Sequence, residues 1–232
     1  MKIRNSQFTI ICILLKIIKT GLSIMNYSGK TKKGDLIVEA ALKLFAEKNF
    51  KEVSVSEIAE EAGVAVGTVY EHFINKEDLF FSIPMKSAEH FDCQLSLHLE
   101  GLYSPVEKIR KYIWFYLYYF QENPIIAEML LLEARVNKRF FYTRHQEKRR
   151  LKNAALLLDL IKEGQAKGEV RDDVSPYSIR HIVLGALEHF CTYWVLSDRQ
   201  FDVVSCNNEI ASMVIPAIIT QKEPEPPNGI HS

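Results

Sequence analysis

The 232-residue sequence has little of what marks most enzyme and scaffold classes. Its four cysteines, Cys12, Cys93, Cys191 and Cys206, are scattered, with no C-x-x-C and no short Cys/His pairing, which excludes a disulfide framework and a zinc site and fits a reducing compartment. There is no G-x-x-x-x-G-K-[ST] loop for phosphates, no H-E-x-x-H and no G-x-S-x-G, so the common nucleotide, zinc-protease and serine-hydrolase signatures are missing. No histidine stands three residues after a glutamate, which argues against a di-iron bundle. Net charge is absent too, with 29 basic and 29 acidic residues, so bulk charge points neither toward nor away from a polyanion. Neither a catalytic constellation nor a cofactor or metal signature is present, and a non-enzymatic role is expected.

A long apolar run is also lacking. Phe8 to Ile18 is apolar but interrupted by Lys16, well short of the about 20 residues that a membrane span needs. No small-residue cleavage site follows it. Residues 1–29 are read as an N-terminal extension, with Met25 a candidate start. No stable membrane association is expected, and a cytoplasmic location is. A regulator tethered through residues 8–24 remains the alternative.

Beyond Met25 the hydrophobic period is helical nearly everywhere, and strand alternation is missing. Ile37, Ala41, Leu44 and Phe45 share one face of a first helix. Ser54-x-x-Glu57 forms a capping box before a second, short helix bearing Val55, Ile58, Ala59 and Ala62. Gly63 ends it, a third helix runs over about 66–73, and Asn75 caps a fourth. Ser104-Pro105, Asn123-Pro124 and Ser175-Pro176 each open a later helix, since proline suits the first helical position. A long helix over 138–167 is expected to stop near Gly168, the helix from Pro176 to run to about Leu196, and a last one to span about 203–220. The Pro-rich end, residues 222–232, is expected to be disordered. The fold class is all-α: a small head over residues 30–80 and a larger helical body over 81–221.

Within the head, Ala59, Gly63 and Val69 supply the small residue, the turn glycine and the apolar anchor of a helix-turn-helix. The stretch GVAVGTVYEHFINKEDLF, with LIVEAALKLFAEKNFKEVSVSEIAEEA before it, resembles the DNA-binding head of the TetR family of transcriptional regulators. That resemblance implies a helix-turn-helix head, a ligand-binding and dimerising body, and a double-stranded palindromic operator as partner. It assigns Thr68, Tyr70 and His72 to phosphates or base edges and Lys76 to a phosphate, and it places Ser54, Val66 and Gly67 at the same surface. Val66, Val69 and Phe73 are expected to pack inward, so Val66 is counted on both sides. Two departures stand out: Ala65 replaces a frequent capping serine, and Glu71 occupies the outward, variable position. Glu71 is either a solvated charge or a reader of cytosine N4. The basic arm Lys30, Lys32 and Lys33 is either a solvated linker or a tracker of the DNA backbone. The segment Ser56–Phe80 holds six acidic residues against one lysine, an unusual balance for a DNA reader.

The body carries its own signals. YIWFYLYYF, residues 112–120, is either plain core or the lining of a pocket for a small hydrophobic effector, with Tyr112, Phe115, Tyr116, Tyr119, Phe141, Arg144, His189 and Tyr193 the candidate contacts. KRFFYTRHQEKRRLK, residues 138–152, is a basic stretch beside it. SPYSIRHIVLGALEHFCTYWVLSDRQFD faintly resembles the branch of the family that responds to fatty acyl-CoA. The last two helices offer a homodimer surface through Ile182, Gly185, Ala186, His189, Ile210, Met213, Val214 and Ala217, although the same stripe would suit an internal core helix. The expected function is a ligand-responsive repressor. A helical enzyme or carrier retaining the fold is the alternative.

Overall fold

The computed structural model describes residues 33–48, 50–133 and 152–220, and of residues 85, 89, 133 and 152–154 the backbone alone. The extension, Lys30, Lys32, Phe141, Arg144, most of the basic stretch and the tail therefore lie outside the described residues.

The head is built from three helices, α1 (Lys33–Glu47), α2 (Val55–Glu61) and α3 (Val66–His72). Ile37, Val38, Ala40, Ala41 and Leu44 of α1 are buried and meet Ile58, Ala59 and Val69. The capping box forms in full. The Glu57 backbone N–H donates to Ser54 Oγ at 3.1 Å, and the Ser54 N–H donates to Glu57 Oε2 at 2.8 Å. Gly63 takes φ 65°, a left-handed conformation that costs a side-chain-bearing residue more, and turns the chain from α2 into α3.

Helix α4 (Lys76–Leu99) leaves the head and enters the body. Asn75 caps it by accepting from the Asp78 N–H at 2.8 Å, and Asp78 Oδ2 accepts from the Ile74 N–H at 3.0 Å. Its first turns bury Leu79, Phe80 and Ile83, and its later turns bury Phe91 and Leu95. Between them lies Pro84, which has no N–H to give the carbonyl four residues before it.

The body continues with α5 (Pro105–Glu122), α6 (Pro124–Glu128, followed by a π-helical turn, Met129–Glu133), α7 (Lys152–Ala166), α8 (Pro176–Leu196) and α9 (Asn207–Ile218). Helix α5 is central: it packs on α4, α6, α7, α8 and α9 and buries Ile109, Tyr112, Ile113, Phe115, Tyr116, Leu117, Tyr119 and Phe120. Ser104 and Ser175 cap α5 and α8 with proline in the first turn. Gly168 ends the α7 segment at φ 70°. Gly164, inside α7, lets Val170 approach so closely that a Cβ there would stand 2.5 Å from the Val170 Cγ2. Arg171 N–H to Ile218 O (2.9 Å) and Thr220 N–H to Glu169 O (3.0 Å) tie the end of α9 to the turn after α7.

Two expectations need correction. Val66 does not pack inward: as the first residue of α3 it is 39% exposed, and Val69, one turn on, is the buried anchor. The helix expected over 203–220 is two pieces, since Asp202 accepts from the Val204 N–H and holds a 3-10 turn, Val203–Cys206, before α9. The helix expected to open at Pro124 does so, and after one turn it widens into the π-helical segment.

Candidate functional site

The exposed surface of the head centres on α3. Val69 is its anchor at 2% exposure, while Val66, Gly67, Tyr70, Glu71 and His72 are exposed and Thr68 is half-buried. Open space surrounds Gly67, so a ligand's backbone can approach the helix there. A convex face of this size fits the major groove, about 12 Å wide. The N-terminus of α3 has no side-chain cap at Ala65.

The start of α1 lies beside this face: a Cβ on Gly34 would stand 3.2 Å from His72 Nδ1. Lys33 therefore begins its helix next to the end of α3. The arm residues before it are outside the described segment.

Lys76 has a task that spacing could not reveal. Its ammonium donates to Phe50 O at 2.7 Å and Val53 O at 2.8 Å, and it sits 4.3 Å from the centroid of the Phe50 ring. Two of its three N–H groups bind the loop between α1 and α2 to the start of α4, leaving one for a phosphate. Ser54 Oγ is likewise engaged as the α2 cap.

Several acidic residues of the head have local partners. Glu57 pairs with Lys48 at 2.7 Å and Glu61 with Lys43 at 2.5 Å, both lysines projecting from α1. Glu57 also closes the capping box, and Asp78 caps the turn before α4. Among the described residues Glu71 forms no ion pair, and it stands on the exposed face. The partners of Glu57 depress its pKa to about 2, with the Lys48 hydrogen bond the largest cause and the Ser54 bonds next.

The second candidate site is the aromatic contact between α4 and α5. The Phe91 ring meets Tyr112, Phe115, Tyr116 and Tyr119 at centroid distances of 6.1, 5.0, 6.1 and 5.0 Å. Tyr119 donates to Ser87 O at 2.9 Å and lies 2.8 Å from Ser87 Oγ, with His90 Nδ1 at 3.3 Å. Burial lowers the pKa of His90. The Tyr112 hydroxyl is fully buried and has no hydrogen-bond partner.

His189 and Tyr193 do not join this cluster. They lie on the outer face of α8, Tyr193 being 61% exposed and 5.9 Å from the Phe201 ring. The reason is rotational: α8 is apolar nearly all round, so its inward side, Ile179, Val183, Leu187, Cys191 and Trp194, cannot be told from its outward side by hydrophobicity. The outward side carries Ile182, Gly185, His189, Tyr193 and Leu196, spaced as one helical stripe, with Ala186 half-buried at its edge. Leu196, 66% exposed, extends that stripe about four turns beyond Ile182. On α9 the expected stripe divides. Met213 and Ala217 face outward, whereas Ile210 and Val214 are 1% and 7% exposed and belong to the chain's own core, not to a dimer surface.

Comparison with known proteins decides the family. Residues 37–83 match the model for bacterial regulatory proteins of the tetR family, and residues 88–217 match that for the YsiA-like protein C-terminal region, more than half of the chain. The chain belongs to the TetR family. It is similar to the fatty acid metabolism regulator protein of Bacillus subtilis (strain 168), 27% identical over 78% of this chain and 93% of that protein. Its fold resembles the fatty acid degradation regulator FadR from Bacillus halodurans, with a TM-score of 0.71, 25% identity and coverage of 81% of this chain and 97% of the other. It also resembles FadR from Bacillus subtilis in complex with stearoyl-CoA, with a TM-score of 0.70, 26% identity and coverage of 78% and 96%. This TetR-family chain is a ligand-responsive, DNA-binding transcriptional regulator, and its relatives are named as regulators, not enzymes. No helix among the described residues is long and apolar enough to cross a membrane, and none of their His, Cys, Asp and Glu side chains cluster as a metal site.

The Glu57 pKa makes a prediction. A carboxylate depressed in the folded state stabilises it above its ordinary pKa and loses that contribution as pH falls through the folded value. The advantage of wild type over Glu57→Gln in thermal melting is expected to be constant above pH 5 and to shrink between about 4.5 and about 2. A difference that does not change with pH would count against the Glu57 pairing.

Proposed function

We propose that the protein is a homodimeric, cytoplasmic repressor that binds a palindromic operator through residues 30–80 and releases it when a long-chain acyl thioester occupies the body, residues 81–221. One observation carries the reading: α4 is shared. Its first turns complete the core of the head, and its later turns place Phe91 against the aromatic cluster. In this reading an effector that moves Phe91 also moves the helix that packs on α1, against which α3 rests. Lys86, just past Pro84, pairs with Asp35 of α1 and couples the two halves a second time. The similarity to a regulator solved with stearoyl-CoA supports the class of effector.

In this reading Val66, Gly67, Thr68, Tyr70 and Glu71 face the groove, with His72 and Ser54 at its edge and Lys33 leading a basic arm toward the backbone. Lys76 acts first as a strut. Footprinting on the protein's own promoter tests the assignment. Wild type is expected to protect two half-sites about one helical turn apart. Tyr70→Ala is expected to weaken binding by roughly 5- to 150-fold, as loss of a base or phosphate contact does. Glu71→Gln is expected to relax selection at one base pair in each half-site. Uniform weak binding to all fragments, unchanged in Tyr70→Ala, would overturn the reading.

The outer stripe of α8 with Met213 and Ala217 of α9 is the proposed dimer surface. Ile182 is 59% exposed in the single chain, so Ile182→Arg leaves its own core intact. Sedimentation is expected to show a dimer for wild type and a monomer of unchanged helicity for the variant. A variant that stays dimeric would place the interface elsewhere.

A further inference from the structure

The outward face of α3 is defined as much by the side chains it lacks as by those it has. Its sequence, VGTVYEH, contains no Arg, Lys, Asn or Gln. Those four side chains make the bidentate hydrogen bonds by which guanine and adenine are read in the major groove. Bidentate purine readout is therefore closed to this helix. Val69 is spent on the core, and Thr68 is half-buried. His72 rests beside the start of α1, where a Cβ on Gly34 would stand 3.2 Å from its Nδ1. What α3 turns outward is Val66 at 39% exposure, Gly67, Tyr70 at 55% and Glu71.

Val66 and Tyr70 stand four residues apart and so share one side of the helix. An exposed valine is a rigid knob, because its branched Cβ restricts the two methyls to one preferred rotamer. It carries nothing that a phosphate can accept. The apolar group that the major groove presents to such a side chain is the C5-methyl of thymine. Valine is short, so it reaches a base only where the helix comes close. Gly67, next to it, brings no side chain and has open space around it, which permits that approach.

We propose that α3 selects pyrimidines: Val66 packs on a thymine C5-methyl, the ring of Tyr70 extends the same apolar face, and Glu71 accepts from cytosine beside them. The proposal rests on α3 facing the groove, as above, and adds which bases it selects and by what contact. The methyl contact is uncharged, so its contribution is independent of salt, unlike that of a phosphate contact.

Deoxyuridine differs from thymidine by that methyl alone and so deletes the partner group without touching the protein. On the protein's own promoter fragment, thymines of the protected half-sites are replaced by uracil, one symmetric pair at a time. Affinity for the full chain is then measured at several salt concentrations. Wild type is expected to lose about fourfold per buried methyl, hence about 15-fold per symmetric pair, at one or two positions in each half-site. At one of those positions Val66→Ala is expected to bind the thymine and uracil operators equally, with the salt dependence of wild type. Unchanged wild-type affinity at every uracil position, on an operator that is still protected, would overturn the methyl contact while α3 remained the reading helix. A penalty that Val66→Ala retains in full at every position would overturn it too, since another group would then hold the methyl. If all fragments bind weakly and alike, the groove assignment of α3 fails and this contact fails with it.

Discussion

The head depends on a helix that is only half its own. Helices α2 and α3 have seven residues each, far below the roughly 12–15 at which an isolated helix becomes even marginally stable. Their order comes from tertiary packing on α1 and on each other, and α1 is held in turn by α4, with Phe45, Phe50 and Phe80 in mutual edge or tilted contact. Lys76 fixes the same joint from the polar side by binding two carbonyls of the loop before α2. Because α4 continues into the body, the proposed coupling runs from the body through α4 to α1, and so to α3. Pro84 and the Asp35–Lys86 pair sit at the middle of that connection.

The acidity of the head looked incompatible with binding a polyanion, and its resolution is geometric. Glu57 and Glu61 lie on the supporting helix, neutralised by lysines of α1, and Asp78 is spent on capping. On the exposed face of α3, Glu71 forms no ion pair among the described residues, and in the proposed reading it faces the groove. In that reading a single acidic residue among exposed Gly67, Tyr70 and His72 costs general affinity, and in return it offers an acceptor that the phosphate backbone cannot satisfy and a cytosine amino group can.

Local signals in the sequence were readable because they act over three or four residues. The Ser54/Glu57 box, the Gly63 and Gly168 turns, the Asn75 cap and the Ser-Pro helix starts all occur where their residues imply. Long-range choices were not readable. The Lys76 partners lie 23 and 26 residues away, and nothing near Lys76 announces them. Helix α8 is apolar on both sides, so His189 and Tyr193 were placed toward the effector when they face outward. On α9, Ile210 and Val214 look the same in sequence as Met213, and only packing against the rest of the chain assigns them to the core. The family itself was legible because the head packs so many constrained positions into about 45 residues.

The central claim is that occupation of the body loosens the grip of the head through α4. The most direct measurement is the affinity of the full-length protein for its own promoter fragment, at fixed salt, with and without saturating stearoyl-CoA. The account predicts a fall of at least tenfold on adding stearoyl-CoA, with no comparable effect of free coenzyme A. An affinity unchanged by stearoyl-CoA, under conditions where the protein is shown to have bound it, would contradict the coupling.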